Sequence, residues 1–139
     1  MITLLPGPTS ADKTKKMIEI ASECVRHSGG DIFFITNNHR IVYDLQRSIK
    51  TFCTDDYVDI GNNDQIIGFI YGLIAGNSNT ENIFIDNIIK KDVLSSEDTV
   101  GFMNSLKKIS QKYNINMVVS LNVETSELGD SAAGCEIYK

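Results

Sequence analysis

The apolar stretches of this chain do not alternate. Ile32-Phe33-Phe34-Ile35, Ile83-Phe84-Ile85 and Met117-Val118-Val119 carry apolar side chains at successive positions and are short. Successive side chains of a strand point to opposite faces, so a run of this kind is stable only where both faces are covered. A parallel sheet with helices on each side meets that demand. Between the runs lie segments of helical period. Met17, Ile20, Ala21, Cys24 and Val25 recur at helical spacing over 13–27, and Gly29-Gly30 supplies the stop. Val42, Leu45, Ile49 and Phe52 predict a second helix on one stripe. Residues 64–75 are apolar nearly all round and predict a mostly covered third helix; the spacing of Gly68, Gly72 and Gly76 predicts close helix packing there. Phe102, Leu106, Ile109 and Tyr113 line a fourth, with Ser95 and Asp98 as a start resembling a capping box. Strands are expected at 2–5, 31–36, 82–86 and 116–121, with a short edge strand at 57–60 and a terminal one at 135–138. The fold class expected is α/β, a three-layer α/β/α sandwich with a mostly parallel sheet.

A chain of 139 residues that is 42% apolar can bury one core without staples, so a single domain over 1–139 is expected. The formal charge of −5 argues against a nucleic-acid footprint, which requires a basic excess. No apolar run approaches the length of about 18–20 residues a membrane helix needs. The opening residues show no basic, apolar and small-residue order of a signal peptide, and a cytoplasmic location is expected. Cys24, Cys53 and Cys135 form no C-x-x-C pair, and with His27 and His39 the only histidines no zinc spacing can be assembled. All three cysteines are expected as small apolar groups in or near the core.

The chemical signal lies after the first strand. Gly7-Pro8-Thr9-Ser10-Ala11-Asp12-Lys13-Thr14 stands between that strand and the first helix, and the phosphate-binding loop pattern in the same context is G-x-x-x-x-G-K-[ST]. Gly7, Lys13 and Thr14 fit, while Asp12 occupies the place of the second glycine. In such a loop the glycine allows the sharp exit from the strand, the lysine brings a charge to the β- and γ-phosphates and the hydroxyl goes to Mg²⁺. Asp86, closing an apolar strand, is the second marker, since an acid there holds the metal.

With Tyr43-Asp44-Leu45, Gly68-Phe69-Ile70-Tyr71-Gly72 and Ile83-Phe84-Ile85-Asp86, the chain resembles the RecA/KaiC-like branch of the P-loop NTPases. More narrowly it is similar to small bacterial single-domain proteins labelled ATP-binding or twitching-motility-like. The resemblance implies a RecA-like sandwich in which the first strand lies beside the Ser120 strand, itself next to the Asp86 strand. It implies a nucleotide site in which Gly7, Ser10, Ala11, Asp12, Lys13, Thr14 and Lys15 face ATP phosphates, and Thr14 and Asp86 hold Mg²⁺.

Two departures bear on activity. Asp12 adds a Cβ and a carboxylate beside the phosphate position; at an effective dielectric of ~20, unit charges ~5 Å apart repel by about 3 kcal/mol. That corresponds to roughly two orders of magnitude in affinity. Asp12 also reads as a helix N-cap accepting from Thr14 or Lys15, with Lys13 paired to Asp12 or Asp86 instead of a phosphate. Both readings stay open at this point. The second departure is Asn87, where many relatives carry the glutamate that activates water; Thr36, Asn37 and Asn38 offer no carboxylate at the other usual place. Glu81 and Glu124 remain as substitutes, and nothing in their spacing favours either. The sequence therefore leads to an eroded nucleotide-binding domain with weak or absent ATP binding and little hydrolysis. The alternative is a non-catalytic interaction module acting through self-association or an active ATPase partner. Ser120, Asn122 and Arg40 are weaker candidates for contacting phosphate.

Overall fold

The structure, a computed structural model, describes residues 1–8, 11–57, 62–86 and 96–138, with the side chains of 96 and 97 outside the description. Six strands form one sheet: β1 (Ile2–Leu5), β2 (Asp31–Thr36), β3 (Ile49–Cys53), β4 (Thr80–Asp86), β5 (Asn116–Ser120) and β6 (Glu136–Ile137). Their order is β3-β2-β4-β5-β1-β6, and every neighbouring pair is parallel. The helices are α1 (Ala11–His27), α2 (Ile41–Asp44), α3 (Asn63–Gly76), α4 (Ser96–Tyr113) and α5 (Thr125–Leu128).

The continuous apolar runs divide residue by residue between two cores. Leu5, Ile32, Phe34, Ile49, Phe84 and Val118 meet Met17 and Ala21 of α1 and Ile41 of α2. Leu4, Phe33, Ile35, Ile83, Ile85, Met117 and Val119 meet Ile66 and Ile70 of α3, Phe102, Met103, Leu106 and Ile109 of α4, and Leu128 of α5. Helices thus cover the sheet on both faces, which makes the chain α/β in three layers. On the α1 face Phe34 and Phe84 stack with ring centroids 5.7 Å apart, tying β2 to β4.

The second helix is much shorter than its stripe suggests. Leu45 is extended at φ −100°, ψ 149°, which ends α2 after a single turn. Ile49–Cys53 is instead β3, paired with β2 from Ile32↔Ile49 to Thr36↔Cys53. Ile49 packs into the α1-side core and Phe52 against the opposite one, the alternation of a strand. A three-residue apolar spacing suits either element, and β-branched and aromatic residues along an available sheet edge decide for the strand. Of the edge strand expected at 57–60 only Tyr57, a bend, lies among the described residues; 58–60 lie outside them.

The third helix starts at a capping box. Asn62 Oδ1 accepts from the Gln65 N–H at 2.9 Å, and Gln65 Oε1 accepts from the Asn62 N–H at 3.1 Å. Only Ile66 and Ile70 are buried in it, however. Gly68, Gly72 and Gly76 are exposed, and a Cβ at any of them would meet nothing within 4 Å, so they serve no close packing. In α4, Phe102, Leu106 and Ile109 are buried as the pattern requires, while Tyr113 is 39% exposed; Ser95 lies outside the described residues.

Candidate functional site

The connections after β1 and β5 leave toward opposite faces of the sheet. β1 leads into α1 on one side; β5 leads toward Leu128 of α5 on the other. Neighbouring parallel strands with diverging exits open a crevice at their carboxyl ends, the usual ligand position in open α/β sheets. The ends of four strands line up there, through the pairs Leu5↔Ser120, Asp86↔Ser120 and Thr36↔Asp86. The strand neighbours implied by the resemblance, β1 beside β5 and β5 beside β4, are those observed.

Gly7 makes the exit from β1. Its φ of +101° is a backbone conformation that L side chains rarely adopt. Its N–H donates to Val123 O at 2.7 Å, and the Leu121 N–H donates to Leu5 O at 3.3 Å, so the turns after β1 and β5 are stitched together. Lys13, in the first turns of α1, reaches into this seam. Its Nζ donates to Gly7 O at 2.7 Å and to Leu121 O at 2.6 Å. Burial lowers its pKa from 10.5 to about 8, against the opposing pull of the Asp86 and Glu124 carboxylates.

Asp86 is buried at 3% exposure. Its Oδ2 accepts from the Thr36 hydroxyl at 3.3 Å, and its buried Oδ1 has no hydrogen-bond partner among the described residues. Burial raises its pKa above the ordinary carboxylate value, although Thr36 and Lys13 both favour the charged form. For each group, desolvation outweighs the attraction between them. Such an orphaned buried oxygen costs about 1–3 kcal/mol if nothing satisfies it. A carboxylate oxygen of this kind suits a hard, water-shelled cation such as Mg²⁺, which takes one or two protein carboxylates and keeps several waters.

The expected site residues divide. Gly7, Lys13 and Asp86 converge on the β1–β5 crevice. Ala11, Asp12 and Lys15 are exposed on the first turns of α1, and Thr14 is half-buried with no hydrogen bond to Asp86. Ser10 and Asn87 lie outside the described residues. The helix begins at Ala11, so Asp12 is a residue of its first turn and not its N-cap. The Asp86 and Glu124 carboxylates both act on the charge of Lys13. Glu124 is the residue that sequence spacing could not select. It precedes α5, and its Oε1 stands 3.9 Å from where a Cβ on Gly7 would lie. Glu81 lies toward the opposite end of β4, where its side chain borders Gly30. Thr36 likewise reaches the site only through the register of β2 on β4.

A second cluster gathers at the same edge of the sheet, beyond β2. His39, Cys53 and Asp56 offer donor atoms all within 4.8 Å of one another, although no zinc spacing links them along the chain. The three cysteines are otherwise as expected: Cys53 is buried, and Cys24 and Cys135 are half-buried against the two cores. Among the described residues no helix is long and apolar enough to cross a membrane. No family model and no curated protein matches the chain.

Proposed function

We propose that the chain is a P-loop-type, RecA-like nucleotide-binding domain whose motifs are eroded, binding Mg-ATP weakly and hydrolysing it little. One observation carries this reading: the Lys13 ammonium sits in the β1–β5 crevice, and the buried Asp86, with its orphaned oxygen, closes the strand on the far side of β5. The order of strands and the left-handed Gly7 turn support it. Lys13 and the N–H groups of the first turn of α1 would meet phosphate, helped by the positive end of the helix. Asp86, with Thr14 nearby in the motif, would hold Mg²⁺.

Weak binding follows from the local charge. One ammonium stands with the carboxylates of Asp86 and Glu124, and Asp12 adds a third on the helix turn. A polyphosphate entering without Mg²⁺ is repelled. Because Asp12 is exposed, water screens its part, and we expect its removal to strengthen binding about tenfold instead of a hundredfold. Hydrolysis lacks a carboxylate next to Asp86 in sequence, and Glu124 balances Lys13. That balance favours a second reading, an interaction module that retains the fold and acts through another copy or an active ATPase, with the cation at the turn neutralised from within.

Thermal unfolding with and without millimolar Mg-ATP separates the two. For a dissociation constant on the order of 1 mM, ~5 mM ligand stabilises by about 1 kcal/mol, and tenfold tighter binding by about 2. Asp12→Gly should therefore show the larger ligand-induced rise in Tm. Its ligand-free Tm should fall, because glycine within a helix costs up to about 1 kcal/mol. If neither protein responds to Mg-ATP, the interaction module stands; a response in the parent that Asp12→Gly does not exceed removes the repulsion argument.

A further inference from the structure

We propose that His39, Cys53 and Asp56 form a binding site for a thiophilic divalent cation of the Zn²⁺ class. The three are brought together by strand register. Thr36 ends β2 and pairs with Cys53, the end of β3; His39 stands three residues beyond the first and Asp56 three beyond the second. Two parallel strands that stop level with each other thus project a thiol, an imidazole and a carboxylate from adjacent turns.

The geometry is close to that of a tetrahedral site. Zn²⁺ bonds of about 2.0–2.3 Å to N, O and S place donors roughly 3.3–3.6 Å apart. His39 Nε2 and Asp56 Oδ1 are already 3.2 Å apart, and the Cys53 sulfur lies within 4.8 Å of a ring nitrogen of His39 and a carboxylate oxygen of Asp56. The adjustment falls on the exposed His39 and Asp56 side chains, while Cys53 is anchored in the sheet. The turns themselves are fixed. The Asn38 N–H donates to Thr36 Oγ1 at 3.1 Å, the Val42 N–H to His39 O at 3.3 Å, and the Tyr57 N–H to Thr54 O at 3.2 Å.

The donor set selects the cation. Thiolate with imidazole favours Zn²⁺ and its late first-row neighbours, whereas Mg²⁺ takes oxygen alone, so this cluster does not duplicate Asp86. Three protein ligands leave a fourth position for water or a ligand oxygen. Binding releases the Cys53 thiol proton to solvent and requires His39 as neutral imidazole, with the lone pair of one ring nitrogen free for the metal. The site needs no nucleotide, so its test is independent of the reading above.

The reduced protein should be titrated with Co²⁺, read by its thiolate-to-metal absorption, and then displaced with Zn²⁺. One equivalent of each, with about one proton released per Zn²⁺ near pH 7, is the expected result. His39→Ala and Asp56→Asn, both at exposed positions, should each weaken Zn²⁺ binding at least tenfold, and Cys53→Ser should abolish the thiolate band. Cys24→Ser and Cys135→Ser should leave both unchanged. No Co²⁺ uptake by the parent protein would overturn the proposal. So would unaltered affinity in His39→Ala, or a thiolate band that follows Cys24 or Cys135.

Discussion

Lys13 is the residue on which burial and charge pull in opposite directions, and pH resolves which prevails. Its ammonium is half-buried, with a pKa lowered from 10.5 to about 8. Below about pH 8 the group is charged both folded and unfolded, and the folded state bears the whole desolvation cost. Between about 8 and 10.5 the folded protein has released this proton while the unfolded chain still holds it. The unfolded state then binds more protons, so stability rises with pH across that window. The difference between the two pKa values, at about 1.36 kcal/mol per pH unit, would exceed 3 kcal/mol in full; screening at a half-buried site reduces it to about 1–2. The neutral amine keeps two N–H donors for Gly7 O and Leu121 O, so the seam survives deprotonation. Urea unfolding of the parent and of Lys13→Met at intervals from pH 7 to 10.5 isolates the effect, because distant tyrosines and cysteines cancel in the difference. The stability of the parent relative to Lys13→Met should grow by about 1–2 kcal/mol, most steeply above pH 8. A difference that stays flat or shrinks with rising pH would show that Asp86 and Glu124 hold the ammonium more strongly than burial expels it, and the desolvation argument would fail.

Two other perturbations probe the frame around the site. Thr36→Val removes the hydroxyl that donates to Asp86 Oδ2 and accepts from the Asn38 N–H, so the Asp86 carboxyl should titrate at higher pH than in the parent, as followed by carboxyl carbon NMR. Because raising that pKa further favours the protonated folded form, the variant should also lose stability as pH rises through the native Asp86 transition, which a denaturation series resolves. Among the glycines, Gly30→Ala should destabilise by about 1–3 kcal/mol in chemical denaturation, since its Cβ would stand 2.6 Å from the Asn79 carbonyl oxygen and 2.7 Å from Glu81 Cβ. Gly72→Ala, at an exposed helical position with open space, should instead stabilise by about 0.5–1 kcal/mol.

The layered architecture was legible because it is written locally. Phe33 and Phe34, or Ile83, Phe84 and Ile85, can be apolar in succession only if both faces of their strands are covered, and helical spacing in 13–27 and 102–109 supplies the covers. Gly7 and Lys13 were legible for the same reason, as a turn former and a first-turn cation following a strand. Position 49–53 was not, since Ile49 and Phe52 at three-residue spacing satisfy a helix and a strand alike, and only the free edge of β2 decides. The openness of Gly68, Gly72 and Gly76 was equally hidden, because spacing states which residues share a face and not what lies against it. Tertiary structure alone put Glu124 and Thr36 beside Lys13 and Asp86, and set His39 and Asp56 about the Cys53 thiol. Each of those meetings depends on which strand ends lie side by side, a register that arises from packing the whole sheet and leaves no trace in the spacing of any one segment.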